Sequence, residues 1–428
     1  MERTRRRRRG LAFLAAVVAA ALANPSHASE VRCTTARYDI RVNGAQATQE
    51  EANSYGKVLE AAWPTFRAFF HAEPPLKEGE RLAIRIFDKR EACLVGAMND
   101  KADMPPIKHP SWFSPSNRTV YLYRHESDWF TRYLILYGAC LQFHGVSKPK
   151  NRDLDEWYTH GIAESFAVHS FDGEHLELAT SPPVSWIDHP ARALKLLGGK
   201  QIGLDPFTDE RLADSSVRWA VVRFATSSSG GKYRERFERL ALGATGSRTS
   251  GHDFMRSLGE MERISQEFSA WLLAAQMPLE VASSDWEAFS DGRILGRSGK
   301  DDQALCSAKP EFHSMRVTID APSEADGGVP GILFAFQDDR NYLVARIVSP
   351  VVFFENVVGG RQRGIDSRPI QNAGENPGAK TYVSIERTGE GVELEINGKV
   401  YDRFAVADGR LGLAAIGGRV VFRDLKCH

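Results

Sequence analysis

The spacing of hydrophobic positions divides the chain into two parts. Up to residue 276 the apolar residues often recur every three or four positions, as in amphipathic helices, and short strand-like runs interrupt them. From residue 285 the period becomes two, and the alternating runs are separated by Gly, Pro, Asp and Asn. This change predicts an α+β domain at 29–276, a linker at 277–284 and an all-β domain at 285–428.

The first part begins with a strand followed by a helix. Alternation at 31–42 predicts the strand, and apolar residues at spacings of three and four over 48–72 predict the helix. Short apolar runs at 82–87 and 119–123 predict two buried strands. The stretch 129–171 then predicts two helices joined by a basic loop. We expect these two helices to organise the domain, because the preceding strand leads directly into the first of them.

The second part predicts many short antiparallel strands. Asn397-Gly398, between two alternating runs, is the strongest hairpin signature in the chain. Many short antiparallel strands within about 140 residues are typical of a β-sandwich or jelly roll. The predicted fold class is therefore multidomain, with an α+β domain followed by an all-β jelly-roll or sandwich domain.

Residues 1–28 have the features of an export signal. A basic segment at 3–9 precedes an apolar segment of 13 residues at 11–23, and Ser26-His27-Ala28 forms a small-x-small cleavage site. The apolar segment is shorter than the ~20 residues that span a bilayer. We therefore predict a secreted, periplasmic or cell-surface protein with no transmembrane segment in the mature chain.

The overall charge excludes some partner classes. The chain is 42% hydrophobic and 26% charged, which is ordinary for a soluble globular protein. Without the predicted signal, 49 basic and 54 acidic residues remain, a net charge of −5. This balance does not favour binding to nucleic acid or to anionic membranes.

The five cysteines lie in a chain that is predicted to leave the reducing cytoplasm, so disulfides are permitted. Cys306 and Cys427 are near the two ends of the all-β domain, where first and last strands are often neighbours, and we predict that they pair. Cys33 and Cys93 are a second possible pair. Cys140 lies in an apolar helix and is predicted to remain a free thiol.

Two motifs in the organising helices resemble the active site of a known enzyme family. The segments YGACLQFH at 137–144 and WYTHGIAE at 157–164 resemble secreted bacterial peptidases of the peptidase-MA-like, gluzincin type. In that family the first helix carries H-E-x-x-H and the second carries W-x-x-E-G-[LI]-A-E. The resemblance is most specific over 114–173, and it implies a zincin-like domain derived from a zinc peptidase.

The positions that hold zinc in that family are changed here. Tyr137, Gly138 and Leu141 stand at the His, Glu and His positions of the first motif, and His160 replaces the glutamate ligand of the second, while its last residue, Glu164, is kept. Leucine has no donor atom, glycine cannot act as a base, and tyrosine is a rare zinc ligand. We therefore predict that the ancestral catalytic site is lost and that no cofactor is bound.

A rebuilt zinc site is the alternative. Cys140 and His144 are four residues apart on one predicted helix, and His160 and His169 could face them, which gives a nitrogen and sulfur ligand set that suits zinc. However, a face formed by Cys140 and His144 is rotated by ~100° from the ancestral ligand face.

The all-β domain resembles the concanavalin- or laminin-G-like sandwich of the 3-keto-disaccharide hydrolase type, through segments such as GILFAF at 331–336, NYLVAR at 341–346 and VELEINGK at 392–399. The resemblance implies that one face of the sandwich binds glycans. The polar residues that we expect to bind such a ligand are Asp338, Asp339, Arg340, Tyr342 and Glu355. The alternative is that 338–341 forms a solvated hairpin turn.

The leading hypothesis is an exported, non-catalytic pseudo-metallopeptidase whose β-sandwich binds a glycan or a cell-envelope protein. The alternative is a hydrolase, either a glycoside hydrolase that uses two carboxylates of the sandwich or a zinc peptidase with the rebuilt site. The sequence leaves open whether any catalytic activity remains.

Overall fold

A computed structural model describes residues 29–103, 110–148, 156–180, 184–198, 207–208, 210–243, 250–283, 285–299, 303–320, 327–370, 380–388, 391–404 and 409–428. The predicted signal at 1–28 and the loop at 149–155 lie outside these residues. The chain forms two compact units, of which the second comprises Thr180–Arg192 and Leu273–His428. None of the helices in the described part of the chain is long and apolar enough to cross a membrane.

Unit 1 contains a five-stranded sheet in the order β1-β2-β3-β5-β4. Its strands are β1 Glu30–Thr34, β2 Tyr38–Asn43, β3 Leu82–Phe87, β4 Ser111–Ser114 and β5 Thr119–Tyr123. The central strands β2, β3 and β5 are parallel, and the outer strands β1 and β4 run antiparallel to their neighbours. The single strand predicted at 31–42 is therefore a hairpin of two strands, whereas the strands predicted at 82–87 and 119–123 are confirmed.

Two long helices cover one face of this sheet. Helix α1 (Gln49–Phe70) begins at Thr48, whose side chain accepts a hydrogen bond from the backbone N–H of Glu51. Its Trp63 packs edge-on against Tyr38 of β2, with ring centroids 5.7 Å apart. Helix α3 (Asp128–Ser147) begins at Ser127, which caps the backbone N–H of Phe130, and it lies against β4 and β5. The alternating apolar residues of the strands are thereby buried on the helical side.

A short helix packs on part of the other face of the sheet. Helix α2 (Arg90–Asn99) packs on β3 and β5 through a small apolar cluster that includes Phe87, Cys93 and Tyr121. The remaining elements of this part of the chain are α4 Glu156–Ala167, β6 His169–Phe171, β7 Leu176–Leu178, α5 His189–Leu196, α6 Ser215–Ser227, α7 Arg234–Gly243, α8 Gly251–Leu258 and α9 Met261–Ala274. The second organising helix thus ends at Ala167, and 169–171 is a strand.

Unit 2 is a β-sandwich of two seven-stranded antiparallel sheets, which confirms the β-sandwich prediction. Sheet I has the order β19-β18-β17-β12-β21-β10-β9, and sheet II has the order β16-β15-β14-β13-β20-β11-β8. The strands are β8 Leu279–Ser283, β9 Asp285–Ala288, β10 Ile294–Arg297, β11 Gln303–Ala308, β12 Ser314–Ile319, β13 Val329–Phe336, β14 Tyr342–Val348, β15 Val351–Val358, β16 Arg361–Pro369, β17 Thr381–Thr388, β18 Gly391–Ile396, β19 Lys399–Phe404, β20 Arg410–Ile416 and β21 Arg419–Cys427.

The core of the sandwich is formed by the inward-facing residues of both sheets. Ile385 and Phe422 of sheet I and Phe354 and Leu413 of sheet II are almost fully buried in one apolar cluster. Alternation along each strand produces this arrangement, because successive side chains point to opposite faces. The predicted Asn397-Gly398 hairpin joins β18 to β19, and both residues have positive φ angles of 52° and 81°.

Two segments outside 285–428 belong to the sandwich. The predicted linker at 277–284 contains β8, which pairs with β11 in sheet II. Val184, in the segment Thr180–Arg192, is buried in the sandwich core. Asp188 of the same segment forms an ion pair with the buried Lys309, at 2.8 Å between Oδ2 and Nζ.

The predicted disulfides are wrong, because all five cysteines are free thiols in the structure. Cys306 lies on β11 of sheet II and Cys427 on β21 of sheet I, and both pack against the same core cluster without forming a disulfide. Cys33 contacts the α1 side of the unit 1 sheet, whereas Cys93 belongs to the cluster on the opposite side. Cys140 is a buried free thiol in α3, as predicted.

Candidate functional site

The positions that correspond to the zinc motif of the resembling family lie where α3 approaches the sheet and α4. A Cβ atom at Gly138 would lie 2.4 Å from Val120 Cγ1 and 2.8 Å from Ser111 Oγ, so the helix and the strands are too close for any side chain there. The Ser111 hydroxyl also donates a 2.9 Å hydrogen bond to the carbonyl oxygen of Leu134 in the same helix. The glutamate that serves as the base in the resembling family has no room at this position.

Two of the other changed positions, Tyr137 and His160, are hydrogen-bonded to each other. The Tyr137 hydroxyl hydrogen-bonds to Nδ1 of His160, which links α3 to α4. Burial, followed by the negative charge of Glu164, raises the pKa of Tyr137 well above its usual value. The hydroxyl therefore keeps its proton at neutral pH.

Glu164 is held by a second tyrosine and an arginine. The Tyr133 hydroxyl donates to Glu164 Oε2, and Arg218 Nη2 of α6 lies 3.9 Å from Glu164 Oε1. Burial and the Glu164 charge raise the pKa of Tyr133 well above its usual value. The carboxylate is thus neutralised inside the protein by a donor and a cation, which is how a buried charge is stabilised.

Gly161 explains why α4 can approach α6. A Cβ atom there would lie 2.7 Å from Val222 Cγ2 and 3.0 Å from the Arg218 carbonyl oxygen. The close contact brings Arg218 near Glu164. The motif positions 137, 160, 161 and 164 therefore contribute contacts between α3, α4 and α6.

The alternative zinc ligands do not form a site. In the described part of the chain, no group of three or more His, Cys, Asp and Glu side chains is arranged to hold a metal ion. His169 Nδ1 bonds the Ala167 carbonyl oxygen at 2.8 Å, and His169 Nε2 accepts from Arg132 Nε at 3.2 Å. Both nitrogens of His169 are thus engaged, as is Nδ1 of His160. Burial raises the pKa of the Cys140 thiol, which disfavours the thiolate that binds metals.

His144 is buried in the helix pair. Its ring lies 5.1 Å from that of Phe70 and 6.3 Å from that of Tyr158, and its Nε2 has no hydrogen-bond partner among the described residues. Burial, with a smaller effect of the Lys148 charge, lowers the pKa of His144 to about 4. The imidazole is therefore neutral at neutral pH.

In the sandwich, the predicted polar cluster separates into a turn and a sheet face. Asp338, Asp339 and Arg340 lie in the hairpin between β13 and β14, where Asp338 Oδ1 accepts from the backbone N–H of Arg340 at 2.8 Å and from the side chain of Asn341. Asp338 therefore stabilises the turn. The predicted hairpin turn is thus observed at these residues, and ligand binding by them stays a prediction.

Tyr342 and Glu355 lie on the outer face of sheet II, the face opposite the sandwich core. Tyr342 pairs with Val357 and donates a hydrogen bond to Gln303. Burial, followed by the charge of Glu355 and a smaller effect of Asp339, raises the pKa of Tyr342 to about 12. Tyr342 and the two carboxylates are therefore close enough to interact electrostatically.

Three further residues surround Glu355 on this face. Arg346 Nη1 donates to Glu355 Oε1 at 2.9 Å, and the Gln362 amide donates to Glu355 Oε2. Phe353 is directly opposite Arg346 in the pairing of β14 with β15, and 37% of it is exposed. We name Arg346, Phe353, Glu355 and Gln362 the outer-face cluster.

The sequence contained signals for the residues that were missed. Two consecutive phenylalanines occur at 353–354. Because successive side chains of a strand point to opposite faces, only one of the two can face the sandwich core. Tyr133 precedes Tyr137 by four positions on the same helix face. The contribution of Arg218 depends on how α6 packs, which the local pattern does not reveal.

No family model matches the sequence, and no curated protein matches it. Among solved structures, the chain is similar to the carbohydrate-binding module CBM66 from Bacillus subtilis, with 17% identity, 35% of this chain and 93% of that chain covered, and a TM-score of 0.29. It is also similar to sheep galectin-11, with 10% identity, 31% of this chain and 99% of that chain covered, and a TM-score of 0.24. A third similar structure is the Bacillus licheniformis beta-glucanase, with 8% identity, 33% of this chain and 79% of that chain covered, and a TM-score of 0.25.

Proposed function

We propose that this protein is an exported, non-catalytic binding protein that recognises glycans through the outer face of sheet II. Unit 1 is then a pseudo-metallopeptidase whose former active site has become a structural contact. The export part of the proposal rests on the signal-like features of residues 1–28.

The absence of catalysis is inferred from what stands at the motif positions. Tyr137 is bonded to His160, Gly138 is enclosed by Val120 and Ser111, and Glu164 is bonded by Tyr133. A catalytic zinc needs three protein ligands and an open position for water. Side chains that are already bonded to each other inside the protein offer neither the ligands nor the open position.

The observation that carries glycan binding is the exposed Phe353 beside a set of planar polar side chains. Glycans present hydroxyl groups at their edges and apolar C–H faces, and an aromatic ring with a few polar groups around it matches both. Arg346, Glu355 and Gln362 supply donors and acceptors on three adjacent strands. The partly exposed aromatic ring supplies the apolar contact.

The variant Phe353→Ala tests this proposal. The full-length mature protein is applied to an array of neutral and acidic oligosaccharides, and the best-bound oligosaccharide is then titrated by calorimetry. We expect the variant to lose about tenfold or more in affinity, equivalent to ~1.4 kcal/mol, because the stacking contact is removed.

Val358→Ala is the matched control. Val358 is an exposed apolar residue at the end of the same strand but on the other side of the sheet, so its truncation should leave binding unchanged. Equal affinities for wild type and Phe353→Ala would refute the assignment of the glycan site to this face.

The hydrolase alternatives predict different outcomes of the same study. Turnover of a glycoside that disappears in Glu355→Gln would show that the sandwich is catalytic. One tightly bound zinc per chain that is lost in His160→Ala would show that the peptidase site has been rebuilt. Either result would overturn the non-catalytic proposal.

A further inference from the structure

Three arginines form a row across β1, β2 and β3, on the face of the unit 1 sheet on which α2 packs. Arg32 pairs with Arg41 across β1 and β2, and Arg41 pairs with Arg85 across β2 and β3. Arg85 is followed in the same row by Tyr121 of β5. Like charges directly opposite each other on a sheet are destabilising unless other groups compensate for them.

Three carboxylates compensate for the arginines. Arg32 Nε lies 2.6 Å from Asp39 Oδ1, Arg85 is bonded to Asp100, and Glu30 lies 3.8 Å from Arg41 and 3.7 Å from Arg85. The row and its carboxylates together carry no net charge. The free charge needed to attract either an anion or a cation is therefore missing.

A concavity of about 340 Å³ opens beside this row. It is lined by Asp39, Arg41, Ala83, Arg85, Asp100, Asn117, Thr119 and Tyr121. Ala83 and Thr119 are paired neighbours in the next row of the sheet, and the small size of Ala83 leaves space above the strands. Helix α2 packs over the Phe87 and Tyr121 side of the sheet.

The polar groups of the concavity are held in fixed orientations. Asn117 donates to the Tyr121 hydroxyl at 2.8 Å, and that hydroxyl donates to Asp100 Oδ2 at 2.8 Å. Arg85 Nε is a buried donor with no hydrogen-bond partner among the described residues. The site thus presents preorganised guanidinium, carboxylate and amide groups, and one donor is left unsatisfied.

We propose that this concavity is a second binding site, for an uncharged, hydroxyl-rich ligand of the size of a mono- or disaccharide. Planar carboxylate, amide and guanidinium groups can each bond two neighbouring hydroxyls, and their paired charges make a neutral ligand the best match. The volume lies at the lower end of the range for small-molecule sites. This site is separate from the outer-face cluster, which lies in unit 2.

The test titrates maltose, cellobiose and lactose into the full-length mature protein that carries Phe353→Ala, which weakens binding at the outer-face cluster equally in every protein compared. We expect at least one of these neutral disaccharides to bind, with an affinity that does not change between low and high salt. Adding Ala83→Leu should fill the concavity and weaken binding by about tenfold or more. Arg41→Gln, which removes a lining group without filling space, should also weaken it.

Thr34→Leu is the control, because Thr34 is exposed on the same face of the edge strand β1 but does not line the concavity. It should leave binding unchanged. The proposal is overturned if none of the three disaccharides binds, if Ala83→Leu and Arg41→Gln both bind like their parent, or if the affinity falls steeply with salt. These outcomes leave the outer-face proposal untouched, because every protein of the series carries the same Phe353→Ala change and the compared variants differ only in unit 1.

Discussion

The imidazole of His144 packs against Phe70 and Tyr158, and burial, with a smaller effect of the Lys148 charge, lowers its pKa to about 4. His144 belonged to the alternative zinc set, and its predicted position on the same helix as Cys140 is confirmed. Its neighbours could not be predicted, because Phe70 and Tyr158 come from other helices. The residue types at 137, 138 and 141 could be taken from the sequence, whereas the contacts of Tyr137 and Gly138 with other elements could not.

The lowered pKa of His144 predicts a loss of stability in acid. Between pH 6.5 and about 4 the unfolded chain binds a proton at His144 and the folded chain does not, so acidification favours unfolding. This contribution is complete above pH 6.5, and about 3 kcal/mol is lost as the pH falls to 4. Urea unfolding at pH 7.5 and 4.5 should therefore show a smaller pH dependence for His144→Phe than for wild type.

The comparison with wild type removes the effects of other groups. His189 also has its pKa lowered by burial, to about 3, and it remains in both proteins. An identical difference between the two pH values in wild type and His144→Phe would mean that His144 is not protonated on unfolding in this range.

Helices and strands with strong local patterns could be predicted from the sequence. Which of these elements contact each other could not. The strands Leu82–Phe87 and Thr119–Tyr123 have the predicted bounds, because alternation and flanking turns determine them locally. The pairing of Cys306 and Cys427 failed because the order of strands in a sheet depends on contacts between distant residues. The contact between α3 and the strands β4 and β5 is another such case, and it depends on Gly138.

Gly138→Ala should destabilise the protein, although the same change in an exposed helix stabilises by ~1 kcal/mol. The added Cβ would lie 2.4 Å from Val120 Cγ1 and 2.8 Å from Ser111 Oγ, so α3 has to move away from the sheet. We expect a loss of about 2 kcal/mol in the free energy of unfolding, measured by urea titration.

Gly364→Ala serves as the control for this change. Gly364 lies in the exposed strand β16, and a Cβ there would meet nothing within 4 Å. Gly364→Ala should change the free energy of unfolding only slightly. If Gly138→Ala were as stable as wild type or more stable, the close helix–strand contact would be wrong.

The organisation of the whole chain follows the change of hydrophobic period only in part. The change at residue 285 located most of the sandwich, because alternation is a local property of each strand. It missed β8 and the segment Thr180–Arg192, which joins unit 2 although it lies far away in the sequence. No periodic pattern of apolar residues surrounds Val184 in that segment, so local patterning could not assign it to the sandwich core.

Truncation of Val184 should therefore destabilise unit 2 and not unit 1. Val184→Ala removes two methyl groups from a residue that is 1% exposed, which should cost about 2 kcal/mol. Hydrogen exchange of the full-length protein can locate the effect, because protection reports local and global opening strand by strand. We expect faster exchange in β11 and β20, whose Ala304, Cys306 and Leu413 belong to the same core cluster, and unchanged exchange in β3 and β5. Faster exchange confined to β3 and β5 would instead place this segment in the unit that surrounds it in the sequence.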